Sequence, residues 1–388
     1  MVARLPIELL ELVAQHSNRG NQARLLVVSR STYSVSVRTL YASIPHMSAS
    51  RTTQCLLTLS TKPEIACLVR VFSLRLSSSR ILHESPNILA HALGNMTNLI
   101  SLSLHLAVFA TSAILSQATF RLTKLVCIMT SDEAYSISTF LSTQPDIEEL
   151  YIVGQPNGLT DLDIDALPAL RDLAAPLRLI PSLIRSSGSK ISHLSILGTI
   201  AEFEEFVQLG TILEAIQAPG RVELVMSVDI TAFLMTTDIL AKGLSLLGQR
   251  APFTISLLRL ELHRGHIRQD DLRDVLKSAL PEFPNLKTLV IMSHSPVRGA
   301  YIRTPTQALS YSPPICSIPI GALSTLAPLH PSSRLEYDEA RGWISLIPGV
   351  LHDKSCHKKL LGTWHRVHPV LERVVFPIGT YTFVHKKR

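Results

Sequence analysis

Charge is scarce in this chain: Asp, Glu, Lys and Arg make up 17% of its 388 residues. Aromatic residues are scarcer still, at 5%. A chain kept unfolded by self-repulsion is excluded, because disorder needs high charge and few aliphatics, and here 46% of residues are hydrophobic. The 17 glycines and 23 prolines follow no period, which excludes a collagen-like thread. The five cysteines, Cys55, Cys67, Cys127, Cys316 and Cys356, are odd in number and form no C-x-x-C pair. That pattern fits reduced thiols in a reducing compartment. A G-x-S-x-G elbow, a phosphate-cradling glycine loop and an H-E-x-x-H motif are all missing. Nothing therefore anchors nucleophilic, nucleotide or metalloprotease chemistry, and the expected protein is neither an enzyme nor a cofactor carrier.

Long apolar runs are missing too. Residues 85–120 contain no acidic residue, Lys or Arg, yet Ser, Thr, Asn and His interrupt them throughout. A membrane span needs about 20 mainly apolar residues, so no membrane is expected. Glu8 and Glu11 lie inside the apolar opening MVARLPIELLELV, which lacks a small-residue cleavage site. A secretory signal is therefore not expected, and the compartment reads as cytoplasmic, nuclear or both. Net charge is +7, but residues 353–388 hold eight Lys/Arg against two Asp/Glu and supply six of those seven charges. A nucleic-acid-binding body would carry its basic face on the folded part, so nucleic acid is not an expected partner.

What the chain does have is patterning, in three zones. Over residues 1–45, Pro6 suits the first turn of a helix, and Leu5, Leu9, Leu12 and Val13 recur at helical spacing with Leu10 widening the stripe. SNRGN (17–21) breaks that helix. The run ARLLVVSRSTYSVSVRTLY then places Leu25, Val28, Thr32 and Val35 on one helical face.

Over residues 50–295 an apolar–x–x–apolar–x–apolar signature recurs. It reads Val71/Leu74/Leu76, Leu99/Leu102/Leu104, Leu122/Leu125/Cys127, Ile147/Leu150/Ile152, Leu170/Leu173/Ala175, Ile191/Leu194/Ile196, Leu257/Leu260/Leu262 and Leu286/Leu289/Ile291. The first six starts lie 28, 23, 25, 23 and 21 residues apart. A single triplet occurs readily by chance in so aliphatic a chain. The even spacing, with helix-compatible segments between such as SISTFLSTQPDIEEL and EFEEFVQLGTILEAIQ, points to leucine-rich-repeat-like units of about 20–29 residues. The gap from Ile191 to Leu257 has room for two longer repeats, one of them with RVELVMSVDI as its strand; the number of repeats between 197 and 256 stays open.

The third zone changes character. Residues 296–334 are expected as an irregular insertion; within them, 304–333 carry six prolines and no charged residue. Residues 335–388 are expected as a closing repeat or cap with a basic tail. RLEYDEARGWISLI reads as helical, and Leu371/Val374/Phe376 repeats the strand signature. His352, Cys356, His357, His365 and His368 lie close together, but one cysteine among several lysines makes a poor zinc site, and the segment reads as solvated and basic. Asp161, Asp163 and Asp165 imitate the start of a calcium loop, but Ala166 stands where glycine is needed. A helix N-terminus or a turn is the expectation there, with Leu162, Ile164 and Leu167 in the core. No metal site is expected.

LPIELLELV, LLVVSRSTY and RTLYASI together resemble the F-box motif of fungal F-box proteins. The matching positions are Leu5-Pro6, Glu8-Leu9-Leu10 with Val13, Val28-Ser29-Arg30 and Leu40-Tyr41. The chain departs from the pattern at Asn21-Gln22, where the family has Asp-Leu. A repeat array ending in a phrase such as LERVVFP is also similar to fungal F-box proteins with leucine-rich repeats.

The resemblance implies a non-catalytic substrate receptor of a cullin–RING (SCF-type) ubiquitin ligase. Its helices would dock on the ligase's adaptor subunit, and so reach a cullin, through Leu5, Pro6, Ile7, Leu9, Leu10, Val13, Leu25, Val28, Ser29 and Arg30. A repeat face would hold a protein target. Alternation within the signature nominates Ser101, Ser103, Glu148, Glu149, Tyr151, Ser195, Arg259, Glu261 and Thr288 for that face. The alternative is a repeat scaffold with no ubiquitin-ligase role, whose N-terminal helices only cap the first unit. The expected fold is α/β: a short helical F-box-like module followed by a leucine-rich-repeat-like solenoid with a proline-rich insertion.

Overall fold

A computed structural model describes residues 6–76, 86–106, 112–129, 137–153, 159, 161–187, 190–216, 222–230, 235–263, 267–294 and 350–383. The fold is mixed α/β. Helices α1 (Ile7–His16), α2 (Arg19–Leu25) and α3 (Arg30–Ala42) come first, and α3 runs directly into strand β1 (Ser43–Ile44). After α4 (Ala49–Thr61) and α5 (Pro63–Ala66), strands alternate with helices or helical turns. The strands are β2 (Val71–Leu76), β3 (Ser101–Leu106), β4 (Lys124–Met129), β5 (Glu149–Val153), β6 (Asp172–Ala175), β7 (His193–Ile200), β8 (Val222–Asp229), β9 (Ile255–His263) and β10 (Thr288–His294). Between them lie α6 (Pro86–Asn95), α7 (Ile137–Ser142), α8 (Ile180–Ser187), α9 (Phe203–Ala215), α10 (Thr237–Arg250) and α11 (Gln269–Ala279). Helix α12 (Lys354–Val367) and the hairpin β11 (Arg373–Phe376) and β12 (Gly379–Thr382) end the described chain.

All twelve strands form one open sheet in chain order, β1 to β12. Every neighbouring pair is parallel except the β11–β12 hairpin. Because side chains alternate across a strand, register decides which residues stack. Phe72, Leu102, Leu125, Leu150, Leu173, Leu194, Leu224, Leu258, Leu289 and Val374 form one buried column across ten strands. Their neighbours on the same face, among them Leu74, Leu104, Cys127, Ile152 and Ile196, are buried with them. The helices cover this face with Leu59, Leu93, Leu141, Leu183, Phe206, Leu244, Leu276 and Trp364, and the whole is one continuous core.

The first apolar residue of each triplet has its own task. Val69, Leu99, Leu122, Ile147, Leu170, Ile191, Leu286 and Leu371 each stand two residues before a strand and are fully buried in the turn. Between that residue and the strand the backbone makes a repeated bridge, in which one carbonyl accepts two N–H groups from the next unit. Ile100 and Ser101 donate to the Arg70 carbonyl, Thr123 and Lys124 to Ile100, Glu148 and Glu149 to Thr123, and Arg171 and Asp172 to Glu148. The series continues from Ser192 and His193 to Arg171, and from Glu372 and Arg373 to Lys287. Buried backbone groups need partners, and this bridge satisfies the turn while handing the chain to the next strand.

Two expected triplets are thereby corrected. In β2 the residues matching the others are Val69/Phe72/Leu74, and in β9 they are Ile255/Leu258/Leu260. Val71 and Leu257 stand two positions later, inside the strand and in the row facing away from the core. The interval from 197 to 256 contains one complete strand, β8, within the expected RVELVMSVDI, and begins and ends inside β7 and β9. The proline-rich stretch 304–333 and the helix-like RLEYDEARGWISLI lie outside the described residues. Chain on the far side of them rejoins the same sheet, since β11 pairs with β10.

The expected solvated basic segment is instead an amphipathic helix. In α12, His357, Leu360, Leu361 and Trp364 are buried while Lys354, Lys358, Lys359 and Arg366 face water. The His357 ring stacks on Phe376 at 3.9 Å between centroids. Its Nδ1 meets the Tyr381 hydroxyl at 2.9 Å and its Nε2 the Leu351 carbonyl at 3.3 Å. A neutral ring satisfies both, Nε2–H donating and Nδ1 accepting. Among the described residues no group of three or more His, Cys, Asp or Glu is placed to hold a metal ion. Asp161 to Asp165 form a turn in which Asp165 adopts φ 64° and, against expectation, Ile164 is exposed. No described helix is long and apolar enough to cross a membrane.

Buried His368 donates from Nε2 to the Leu286 carbonyl at 2.8 Å, tying the end of α12 to the turn before β10. Burial is the main cause holding its pKa below the ordinary 6.5, and burial lowers His352 as well. A depressed histidine binds its proton more readily in the unfolded chain, so its contribution is complete above pH 6.5 and is lost as pH falls. Thermal stability should therefore drop between pH 7 and pH 5. His368→Gln should lower the melting temperature at pH 7.5 and flatten that drop; an unaltered slope would count against this assignment.

Candidate interaction surfaces

Among the described residues two surfaces stand outside the core, one on the N-terminal helices and one on the sheet. The helices pack on each other through Ala14, Gln22, Thr32, Val35, Ser36 and Val37, which are the buried positions of α1 to α3. In α1 the inward line is Leu10 and Ala14. Leu9, Leu12 and Val13 fall at i, i+3 and i+4 on the other side. They are left 47%, 49% and 50% exposed, with Ile7 at 53%. Of the fifteen exposed large hydrophobic side chains among the described residues, seven lie between Ile7 and Tyr33. That concentration separates a surface from the scattered exposed aliphatics of any protein.

The expected single helical face through Leu25, Val28, Thr32 and Val35 is corrected. Helix α2 stops at Leu25 and α3 starts at Arg30, with Ser29 as its N-cap. The Ser29 hydroxyl accepts from the Thr32 N–H, and the Ser29 N–H donates to Thr32 Oγ1, a reciprocal cap that starts a new helix. Val28 falls in the connection, 67% exposed, while Thr32 and Val35 are buried. Among the nominated adaptor residues, Ile7, Leu9, Val13, Val28 and Arg30 are exposed and Leu10 and Leu25 half-buried. Ser29 is occupied by the cap. Pro6 is the N-cap of α1 rather than part of its first turn, and Leu5 lies outside the described residues.

Gln22, where the F-box pattern has leucine, is buried within the module. Its Nε2 donates to the carbonyls of Ala14 at 2.8 Å and Ser17 at 3.1 Å, closing the α1–α2 junction. The departure therefore alters the interior of the module and leaves its outer stripe intact. Arg19 donates to the Ser43 carbonyl and anchors α2 to the first strand.

On the sheet, no described element covers the face away from the helices, whereas parallel sheets are ordinarily buried on both faces. Alternation sends eight of the nine nominated target residues to this face. Ser101, Glu149 and Thr288 stand in its first row, Ser103, Tyr151, Ser195 and Arg259 in its second, and Glu261 beyond them. Glu148 is the exception: it precedes β5 and is exposed at the turn.

The nominations missed a charged row. Lys124, Glu149, Asp172, His193 and Glu223 are register partners on the five adjacent strands β4 to β8. Lys124 pairs with Glu149. His193 lies 2.5 Å from Asp172 through Nδ1 and 3.2 Å from Glu223 through Nε2. Equal offset was the available signal, since Lys124, Glu149, Asp172 and His193 each stand two residues after a triplet's first apolar residue.

Beside this row runs a second, Val126, Tyr151, Ala174, Ser195 and Val225, all half-buried. The Tyr151 hydroxyl is shielded and has no hydrogen-bond partner among the described residues, and burial raises its pKa. Farther on, Arg259 pairs with Glu261 at 2.7 Å, and Glu261 accepts from the Ser227 hydroxyl. Two of the described thiols are poor nucleophiles: burial pushes Cys55 up to about 11 and Cys127 up to about 12.

Neither a protein-family model nor a curated protein matches the chain.

Exposed ion pairs contribute roughly 0–1 kcal/mol each, so Lys124→Ala should leave thermal stability nearly unchanged. Gln22→Leu should be destabilising, because the Ala14 and Ser17 carbonyls lose the side-chain donor that joins α1 to α2, at about 0.5–1.5 kcal/mol per bond. Amide exchange across residues 7–25 should accelerate while the sheet stays protected; unchanged exchange there would refute the junction role of Gln22.

Proposed function

We propose that this protein is a non-catalytic substrate receptor of an SCF-type ubiquitin ligase. Its N-terminal helices are an F-box-like module that docks on the ligase's adaptor subunit and, through it, on a cullin. The observation that carries the reading is the outward apolar stripe of Ile7, Leu9, Leu12 and Val13, joined in sequence by exposed Val27 and Val28. Such a stripe is costly in water, at about 25 cal/mol per Å² of apolar surface, unless a partner groove covers it. The alternative, in which these helices only cap the first unit, needs that stripe turned inward. It faces outward instead, and the inward contacts of α1 are made by Leu10 and Ala14.

The remainder is read as a leucine-rich-repeat-like solenoid that holds a protein target. Sequential parallel strands, one buried column per triplet position and a single uncovered face support that reading, because units that each touch only their neighbours build such arrays. The receptor then works by geometry. It carries no reaction of its own; the module fixes one end on the ligase, and the sheet presents a bound protein to the ubiquitin-transfer machinery.

Co-expression of the full chain with the adaptor subunit of a cullin–RING ligase tests this. A stoichiometric complex is expected. Leu9→Asp with Val13→Asp should abolish it while the melting temperature stays put, since exposed positions away from special features cost within about 0.5 kcal/mol. A folded chain that forms no complex would return the protein to the class of repeat scaffolds without a ligase role.

A further inference from the structure

We propose that the uncovered sheet face over β4 to β8 is a docking surface for an extended, basic and apolar polypeptide segment. This rests on the receptor reading only for its consequence, that the segment would mark the ligase's target; the binding itself stands on the sheet. Three observations lead to it.

The first is an imbalance of charge in the row Lys124, Glu149, Asp172, His193, Glu223. Three carboxylates face one lysine and one imidazole, and Lys124 is engaged by Glu149. Asp172 and Glu223 both lean on His193, from opposite ring nitrogens. Each of these two carboxylates meets the ring through a single oxygen, and a carboxylate accepts through both, so each keeps an oxygen for an incoming cation. Strands lie about 4.8 Å apart, so Asp172 and Glu223, two strands apart, stand roughly 10 Å from each other.

The second is the row beside it. Val126, Tyr151 and Val225 are half-exposed on this face. Between Tyr151 and Val225 stand only Ala174 and Ser195, the register partners on β6 and β7. Small residues flanked by larger ones leave a shallow slot, about three strand spacings from wall to wall, which suits an apolar side chain. Acidic row and apolar slot run in parallel, so their complement is a strand-like segment with cationic side chains on one edge and aliphatic ones on the other.

The third is the sign of the charge. An acidic row repels phosphates, so a nucleic acid is disfavoured where a basic peptide is attracted.

The test uses the full chain and a capped, fluorescently labelled peptide of alternating arginine and leucine, with a glutamate–leucine peptide as its counterpart. The arginine peptide should bind saturably, more weakly as salt rises from 50 to 300 mM, and the glutamate peptide should not. Asp172→Lys with Glu223→Lys should weaken binding at least tenfold. Glu64→Lys with Glu204→Lys makes the same change in net charge at exposed positions off this face, and it should leave binding within twofold. His193→Ala removes the chain's own competitor for the carboxylates and should tighten binding by about twofold to fivefold.

Equal weakening by the two double variants would reduce the effect to net charge and overturn the proposal, as would absent binding, preference for the glutamate peptide, or weaker binding by His193→Ala. Leu9→Asp should not change peptide binding. A chain that binds the peptide but not the ligase adaptor would keep this surface and lose the receptor reading; the reverse would do the opposite.

Discussion

A parallel sheet assembled strictly in chain order must return each time on the same side, and the rest of this structure depends on that constraint. The return segments bury one face completely and leave the other to water. Burial then becomes a matter of register: Phe72, Leu102, Leu125, Leu150, Leu173, Leu194, Leu224, Leu258 and Leu289 stack because each strand begins at the same offset from its turn. The offset is set by the buried residue before the strand and by the doubly accepting carbonyl after it. A slip of one residue would exchange the two faces of that strand and bury its charged residue. The bridge and the leucine columns therefore protect the uncovered face as much as the core.

Polar side chains reinforce this at the joints. Asn98 and Asn285 each immediately precede a triplet's first leucine, and each donates to the preceding unit, at the carbonyls of Cys67 and Phe253. Buried Gln144 accepts from the Leu122 N–H and donates to the Phe120 carbonyl. Gln22 and His368 do the same work at the two ends of the described chain, each satisfying backbone carbonyls at a junction where helix geometry stops. In each case a backbone group at a junction has been given a side-chain partner, and at Gln22, Gln144 and His368 that bond is buried.

The sheet was legible in the sequence because its signal is redundant: three apolar positions per unit, repeated at nearly equal intervals. Where that failed, the cause was degeneracy. Around β2, Val69, Val71, Phe72 and Leu74 permit two readings two residues apart, and a shift of two keeps the same strand face. Register with β3 decides between them, and no single strand contains that information. Helix α12 was hidden differently. Leu360, Leu361 and Trp364 form its buried line, but four lysines and arginines on its other side dominate the composition. The N-terminal stripe was legible as apolar and periodic, while its outward direction was not. Helical spacing gathers Leu9, Leu12 and Val13 on one side of α1, and that holds equally whether the side meets a core or a partner.

The candidate surfaces follow the same logic. Alternation identified eight residues of the uncovered face, one strand at a time, and picked Glu149 without its neighbours Lys124, Asp172, His193 and Glu223. Charge on a sheet acquires meaning from the adjacent strand, about 4.8 Å away, whereas those residues are more than twenty positions apart in the chain. His193 illustrates the difference. In sequence it is one of fifteen histidines; across β6, β7 and β8 it is one ring shared by two carboxylates. A surface pair of this kind adds little to stability. Five partly exposed charged or titratable side chains in one row are thus poorly accounted for by folding alone, and well accounted for by a partner that arrives from outside.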